Sequence, residues 1–227
     1  MIHEHGFPDV GFAWRCWHRP DGPRYRPDRC PRRGIPVILH DSRPGGAQEA
    51  KDAIVATLET LVGKGKLMAD AVGASVASLC VAESLADLAP CTVVVEAIVE
   101  KLRSKCELFQ QLEAVVSTKC ILATNTSSLS VTAIAVSCAH PGRVADFHFF
   151  SPVPLMKIVE VIVGPLTNDD IADALIDIAR QMGHTPVRAS DTSGFIINYA
   201  GCGYLTEPLR LLSETPCAAK PFPVDYR

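Results

Sequence analysis

From Gly34 to Glu214 the chain alternates short apolar, β-branched runs with longer stretches of helical spacing. The runs are IPVILHD (35–41), TVVVEAIVE (92–100), CILATN (120–125), RVADFHFF (143–150), MKIVEVIVG (156–164) and HTPVRAS (184–190). Each is short enough for a strand and bounded by polar or turn residues. Between them, residues 44–67 put Ala50, Ile54, Leu58 and Leu61 on one helical face, and residues 101–116 turn Leu102, Leu108, Phe109 and Leu112 inward. Residues 76–91 read as a short strand or turn with a helix ending, and SLSVTAIAVSC as a helix. NDDIADALIDIARQMG opens on acids and stops at Gly183, as a dipole-matched helix does. Strands separated by helices build βαβ units, so the fold class is α/β with a doubly wound, mainly parallel sheet. Residues 1–190 form that domain, and residues 191–227 start a further helical one.

A chain of 227 residues is long enough for one such domain plus a remnant of another. Lys and Arg total 22 against 25 Asp and Glu, so no basic field favours nucleic acid or an anionic membrane. No apolar run reaches the roughly 18 residues of a membrane span, and MIHEHGFPDV lacks the pattern of a signal peptide. The nine cysteines are odd in number and form no CxxC, which reads as reduced cytoplasm. Cys16, His18 and Cys30 are too irregularly spaced for a zinc site, and no metal is expected.

Residues 14–33 break the pattern: seven Arg, four Pro, two Cys and both Trp, with no helical or strand period. One reading is a solvated basic arm able to touch nucleic acid. The other is a disrupted reading frame. Tryptophan is always TGG, so a one-base shift turns Trp14 and Trp17 into glycines. The shifted text becomes glycine-rich and then Ala/Ile-rich, where the first βα turn of a dinucleotide-binding fold belongs. As written the chain carries no GxGxxG, and after Glu214 the helical text gives way to TPCAAKPFPVDYR.

Several residues carry chemistry. Asp41 ends a strand, where an acid accepts hydrogen bonds from the adenosine ribose and repels a 2′-phosphate, favouring NAD over NADP; Arg43 weakens that preference. Glu96 and Glu100 fall at the C-terminal end of the next long strand, where ligands bind in open α/β sheets; as surface acids they would merely complement a helix dipole. Lys105 can pair with Glu100. In TNTSSLS, Thr126 or Ser127 could cap the following helix, but a cap needs one hydroxyl and leaves Asn125 and the other serines unexplained. His148 and Glu160 each sit amid apolar strand residues. Buried together they make a base and the carboxylate that fixes its tautomer, as removal of a proton from a secondary alcohol requires. Asn198 follows an apolar turn, where its amide could donate to a substrate oxygen.

ATNTSSLS, HFFSPVPLMKIVEVI and DTSGFIIN, in this order and spacing, resemble the (S)-3-hydroxyacyl-CoA dehydrogenases, of the bacterial 3-hydroxybutyryl-CoA and 3-hydroxyadipyl-CoA type. The resemblance implies a Rossmann-like NAD-binding domain followed by a helical domain that forms a homodimer, and a place in fatty-acid β-oxidation. It implies that His148 is the base, Glu160 its partner, and Ser127 and Asn198 the holders of the substrate's reacting oxygen and acyl group. It assigns Asp41 to the ribose, Glu100, Lys105 and Asn125 to the NAD site, and Thr57 and Lys64 to coenzyme A. The implied reaction oxidises (S)-3-hydroxyacyl-CoA to 3-oxoacyl-CoA with NAD. The chain departs from the pattern in three ways. The glycine-rich turn is missing, Ser151 stands where the family has Asn, and most of the helical domain has no counterpart after Glu214. The alternative is a catalytically impaired relative that binds nucleotide or coenzyme A.

Overall fold

The structure, a computed structural model, describes residues 11–14, 36–151, 153 and 156–214. Its core is an eight-stranded sheet ordered β3-β2-β1-β4-β5-β6-β7-β8. The strands are β1 (Gly11–Trp14), β2 (Val37–His40), β3 (Leu79–Val81), β4 (Val93–Glu96), β5 (Ile121–Thr124), β6 (Val144–Phe149), β7 (Ile158–Val163) and β8 (Thr185–Ser190). Strands β2 to β6 are mutually parallel, while β1, β7 and β8 run against them. The helices are α1 (Gly46–Gly63), α2 (Ala69–Ala77), α3 (Leu102–Val115), α4 (Val131–Ala135), α5 (Asp169–Gln181) and α6 (Ile197–Glu214). Gly183, at φ +75°, ends α5 in the left-handed conformation that glycine adopts freely.

Strand alternation sorts the core into two faces. Val94, Leu122, Val144 and Ile162 pack under α3 and α4 with Phe109, Leu112 and Ile134. Val93, Val95, Ala123, Phe147 and Val161 pack under α5 with Leu175. The same alternation decides where the polar strand residues go. Glu96 follows Val94, Thr124 follows Leu122, and Asp146 and His148 follow Val144. All four therefore lie on the α3/α4 face, toward the carboxyl edge of β4 to β6. The hairpin from β6 into β7 brings the chain back from that edge and sets Glu160 directly opposite His148.

Three details differ from the sequence expectations. Leu102, expected inward, is 40% exposed, whereas Lys105 one turn on is buried. The helix expected over SLSVTAIAVSC is only the short α4, capped by Ser130, whose hydroxyl accepts from the Ala133 amide at 3.2 Å. Trp14, counted with the arginine-rich segment, ends β1 and pairs with Val37 and Val93. The rest of that segment, the Cys16–His18–Cys30 group and the tail 215–227 lie outside the described residues. Strand β1 fills the central slot in reverse. The chain leaves it at Trp14, beside the first residues of β2 and β4, at the edge opposite Asp41. No helix among the described residues is long and apolar enough to cross a membrane.

Candidate active site

The carboxyl edge of β4 to β6 carries a buried charged network. Glu96, at the end of β4, accepts from Lys105 Nζ at 2.7 Å and the Ile98 amide at 2.5 Å through one oxygen, and from Thr124 Oγ1 at 2.8 Å through the other. Lys105 reaches back from the first turn of α3, and its ammonium also lies 3.4 Å from Glu100. Both members of the Glu96–Lys105 pair are about 1% exposed, so Glu96 is no surface acid at a helix start. Lys105 does pair with Glu100, as expected, but more closely with Glu96.

The hydroxyls after β5 sort by partner. Thr124 donates to Glu96; Thr126 and Ser128 both donate to Glu100. Ser130 donates to Asp191 at 2.8 Å. Only the Ser127 hydroxyl has no intramolecular partner among the described residues, and Ser127 is exposed. Neither Thr126 nor Ser127 caps α4, because Ser130 does. Burial pushes the Glu100 carboxyl up, but bonds from Thr126, Ser127 and Ser128 and the Lys105 ammonium outweigh it and hold it below the ordinary value. Asn125 bridges two strand ends, its amide donating to the Glu96 carbonyl and its Oδ1 accepting from the Phe149 amide at 2.9 Å.

His148 is 5% exposed, edge-on to the Phe150 and Phe195 rings. Its Nδ1 lies 2.9 Å from Oε2 of the fully buried Glu160. A carboxylate partner assigns the proton to Nδ1 and leaves the Nε2 lone pair as the ring's proton acceptor. The other Glu160 oxygen accepts from the amides of Ile196 and Ile197 at 3.1 and 3.0 Å. One carboxylate thus orients the imidazole and anchors the N-terminus of α6. The next residue, Asn198, donates through Nδ2 to the Ser127 carbonyl at 3.4 Å. Ser127, His148, Glu160 and Asn198 are thereby linked through consecutive contacts.

Two acids escaped the sequence reading. Asp191 accepts from Ser130, the Val131 amide and both the amide and hydroxyl of Thr132, stitching α4 to the segment that leads into α6. Asp146 is fully buried, and neither oxygen has a hydrogen-bond partner among the described residues. Burial drives its carboxyl well above the ordinary value. Glu96, Glu100 and Glu160 reinforce the shift, and Lys105 opposes it. Both had a signal: Asp146 is two residues before His148, hence on its strand face, and Asp191 opens the DTSGF stretch.

At the other end of the same edge, Asp41 follows β2 and accepts from the Arg43 amide at 2.7 Å. A pocket of about 220 Å³ runs from Asp41 past Leu88 and Glu96 to Leu108 of α3. An apolar-walled pocket beside a ribose-type acid suits an adenosine group, so these residues fit the nucleotide half of NAD. Thr57 and Lys64 are not part of this cluster. Both are exposed; Thr57 Oγ1 donates to the Ala53 carbonyl, and Lys64 lies past the end of α1, roughly 27 Å along its axis from Gly46.

A doubly wound sheet with an acid and an apolar-walled pocket at one end of its carboxyl edge and a histidine–carboxylate pair at the other is the arrangement of a dinucleotide-dependent dehydrogenase fold. Residues 28–192 match the model of the 3-hydroxyacyl-CoA dehydrogenase NAD-binding domain. The chain is 38% identical to the 3-hydroxyadipyl-CoA dehydrogenase of Escherichia coli over 82% of its own length and 39% of that protein's. It is also 38% identical to a probable 3-hydroxybutyryl-CoA dehydrogenase of Deinococcus radiodurans, over 80% of this chain and 65% of the relative. Among solved structures, the 3-hydroxybutyryl-CoA dehydrogenase of Escherichia coli superposes with a TM-score of 0.78 at 38% identity, covering 82% of this chain and 40% of that one. The chain belongs to the 3-hydroxyacyl-CoA dehydrogenase family, and the part it matches is the NAD-binding domain. It spans between 39% and 65% of the length of the curated relatives named here.

Proposed function

We propose that the chain carries out NAD-dependent oxidation of (S)-3-hydroxyacyl-CoA to 3-oxoacyl-CoA, with His148 as general base. The observation that carries this reading is the buried His148–Glu160 pair, joined through α6 to the Ser127 loop. NAD, when bound, would supply the acceptor for the hydride that leaves the substrate carbon. His148 Nε2 accepts the proton of the substrate hydroxyl, and Glu160 stabilises the imidazolium that results. A base so placed contributes roughly 100- to 10,000-fold in rate. The free Ser127 hydroxyl and the Asn198 amide supply donors to the reacting oxygen. Glu100, Lys105 and Asn125 brace the edge on which the nucleotide rests, Asp41 holds the ribose, and Thr57 and Lys64 contact coenzyme A. The family's homodimer and a cytoplasmic setting belong to the same reading.

NADH oxidation in the presence of acetoacetyl-CoA tests it, on the chain as it stands and with a Gly-x-Gly turn restored. Turnover that disappears in His148→Ala supports the reading, and turnover that survives the substitution refutes it. NADH or acyl-CoA binding without any turnover in either version favours the alternative, a binding protein built on the family fold. The reversed β1 gives that alternative its footing, since its exit lies away from the nucleotide edge.

A further inference from the structure

The ribose end of the site has a second acid. Asp41 is pinned: its Oδ1 accepts from the Arg43 amide, and its Oδ2 lies over Gly46, where a Cβ would approach to 2.1 Å. Only glycine leaves room for the carboxylate there. Two residues on stands Arg43, and an arginine in this region is what accommodates a 2′-phosphate in NADP-binding members of the architecture. Here the guanidinium is already engaged. Its NH1 and NH2 donate to the two oxygens of Glu49 at 3.1 and 2.6 Å, in the forked geometry that a phosphate would otherwise take.

Glu49 belongs to the first turn of α1, where the helix dipole favours an acid. The hydrogen bond and charge of Arg43 hold its carboxyl below the usual range, so it is ionised at neutral pH. Asp41 and Glu49 are negative and Arg43 positive, which leaves the ribose end with a net charge of about −1 and no unpaired cation fork.

We infer that Glu49 is a specificity-determining residue: by occupying both arms of Arg43 it denies a 2′-phosphate its partner and keeps the site for NAD. The inference rests on the reading of Asp41 as the ribose acceptor. Replacing Glu49 by glutamine brings the local balance to about zero and leaves one acceptor oxygen in place of two, so one N–H donor of the Arg43 fork is released toward the 2′ position. If Arg43 and Glu49 only braced the turn, the substitution would lower the melting temperature without altering cofactor choice.

Fluorescence titration of the full chain with NADH and with NADPH measures the preference. Competition with 5′-AMP and with adenosine 2′,5′-bisphosphate isolates the ribose end from the rest of the nucleotide. The Arg43–Glu49 pair is exposed, so in Glu49→Gln the affinity for NADPH relative to NADH should rise about fivefold, the upper worth of an exposed ion pair. The bisphosphate should gain over 5′-AMP in parallel. Adding Arg43→Gln should cancel both gains. If the parent chain binds NADH and Glu49→Gln leaves the ratio unchanged, Glu49 does not set specificity. A parent chain that binds neither NADH nor 5′-AMP overturns the reading of Asp41, and this inference with it.

Discussion

Glu160→Gln separates the base chemistry proposed for His148 from the packing around it. In the parent chain one Glu160 oxygen accepts from His148 Nδ1 at 2.9 Å, and the other accepts from the Ile196 and Ile197 amides at 3.1 and 3.0 Å. Glutamine can leave its oxygen on those two amides and turn its NH2 toward the ring. It then donates to Nδ1 instead of accepting from it. The imidazole must adopt the opposite tautomer, with the proton on Nε2, and has no lone pair left for a substrate hydroxyl. The variant should lose the base's whole contribution, roughly 100- to 10,000-fold in kcat. At 1.36 kcal/mol per tenfold, that is about 2.7 to 5.4 kcal/mol of transition-state stabilisation. The fold loses far less. Exchanging a charged for a neutral acceptor costs on the order of 1 kcal/mol. Initial rates with acetoacetyl-CoA and NADH measure the first quantity and thermal unfolding the second. Nitrogen-15 NMR of the ring reports the tautomer directly, whether or not the chain turns over. A variant that keeps most of its rate, or that keeps its ring proton on Nδ1, refutes the reasoning.

Two other buried groups give predictions of stability. Asp146 holds its proton to higher pH in the folded chain than when unfolded. As pH rises above the unfolded carboxyl value, the unfolded state releases the proton first and folding is disfavoured. The cost is absent at low pH and grows by about 1.4 kcal/mol per pH unit until the folded group also ionises. Denaturant melts of Asp146→Asn and the parent at stepped pH should therefore diverge upward from about pH 4, with the variant gaining; parallel curves would sink the assignment. Lys105→Met should destabilise by roughly 3–5 kcal/mol, because it strands the Glu96 carboxylate in a buried site beside Glu100. A loss below about 1 kcal/mol in urea unfolding would mean that solvent reaches Glu96.

Much of the fold was legible because strand and helix periods differ so plainly along the chain. The β6–β7 hairpin shows how far a linear pattern reaches. His148 and Glu160 each stood out as polar residues in apolar runs, but only the antiparallel register sets them face to face. The helix face over 101–116 was misjudged at Leu102 for an electrostatic reason. Hydropathy ranks leucine inside and lysine outside, yet buried Glu96 draws Lys105 in, and Leu102 is left near solvent. Glu96 itself could be placed by counting in twos from Val94. The abundance of hydroxyls after β5 has a similar origin. Four of the five serve acids that come from β4, the loop after it, and a segment some 60 residues later. No local motif encodes such distant partners. What remains is Ser127, and it could be singled out only once the others had been assigned.

The reversed central strand has a consequence of its own. A strand hydrogen-bonded on both sides cannot be turned end over end by small adjustments, because every pairing to β2 and β4 must break before one can re-form in the other sense. Polarity in a sheet is a discrete choice. A substitution within Gly11–Trp14 can loosen or tighten this strand, but it cannot redirect the outgoing chain toward the rim where Asp41 stands. To swing that exit around, evolution or an engineer would have to rewrite the text on both flanks of the strand at once.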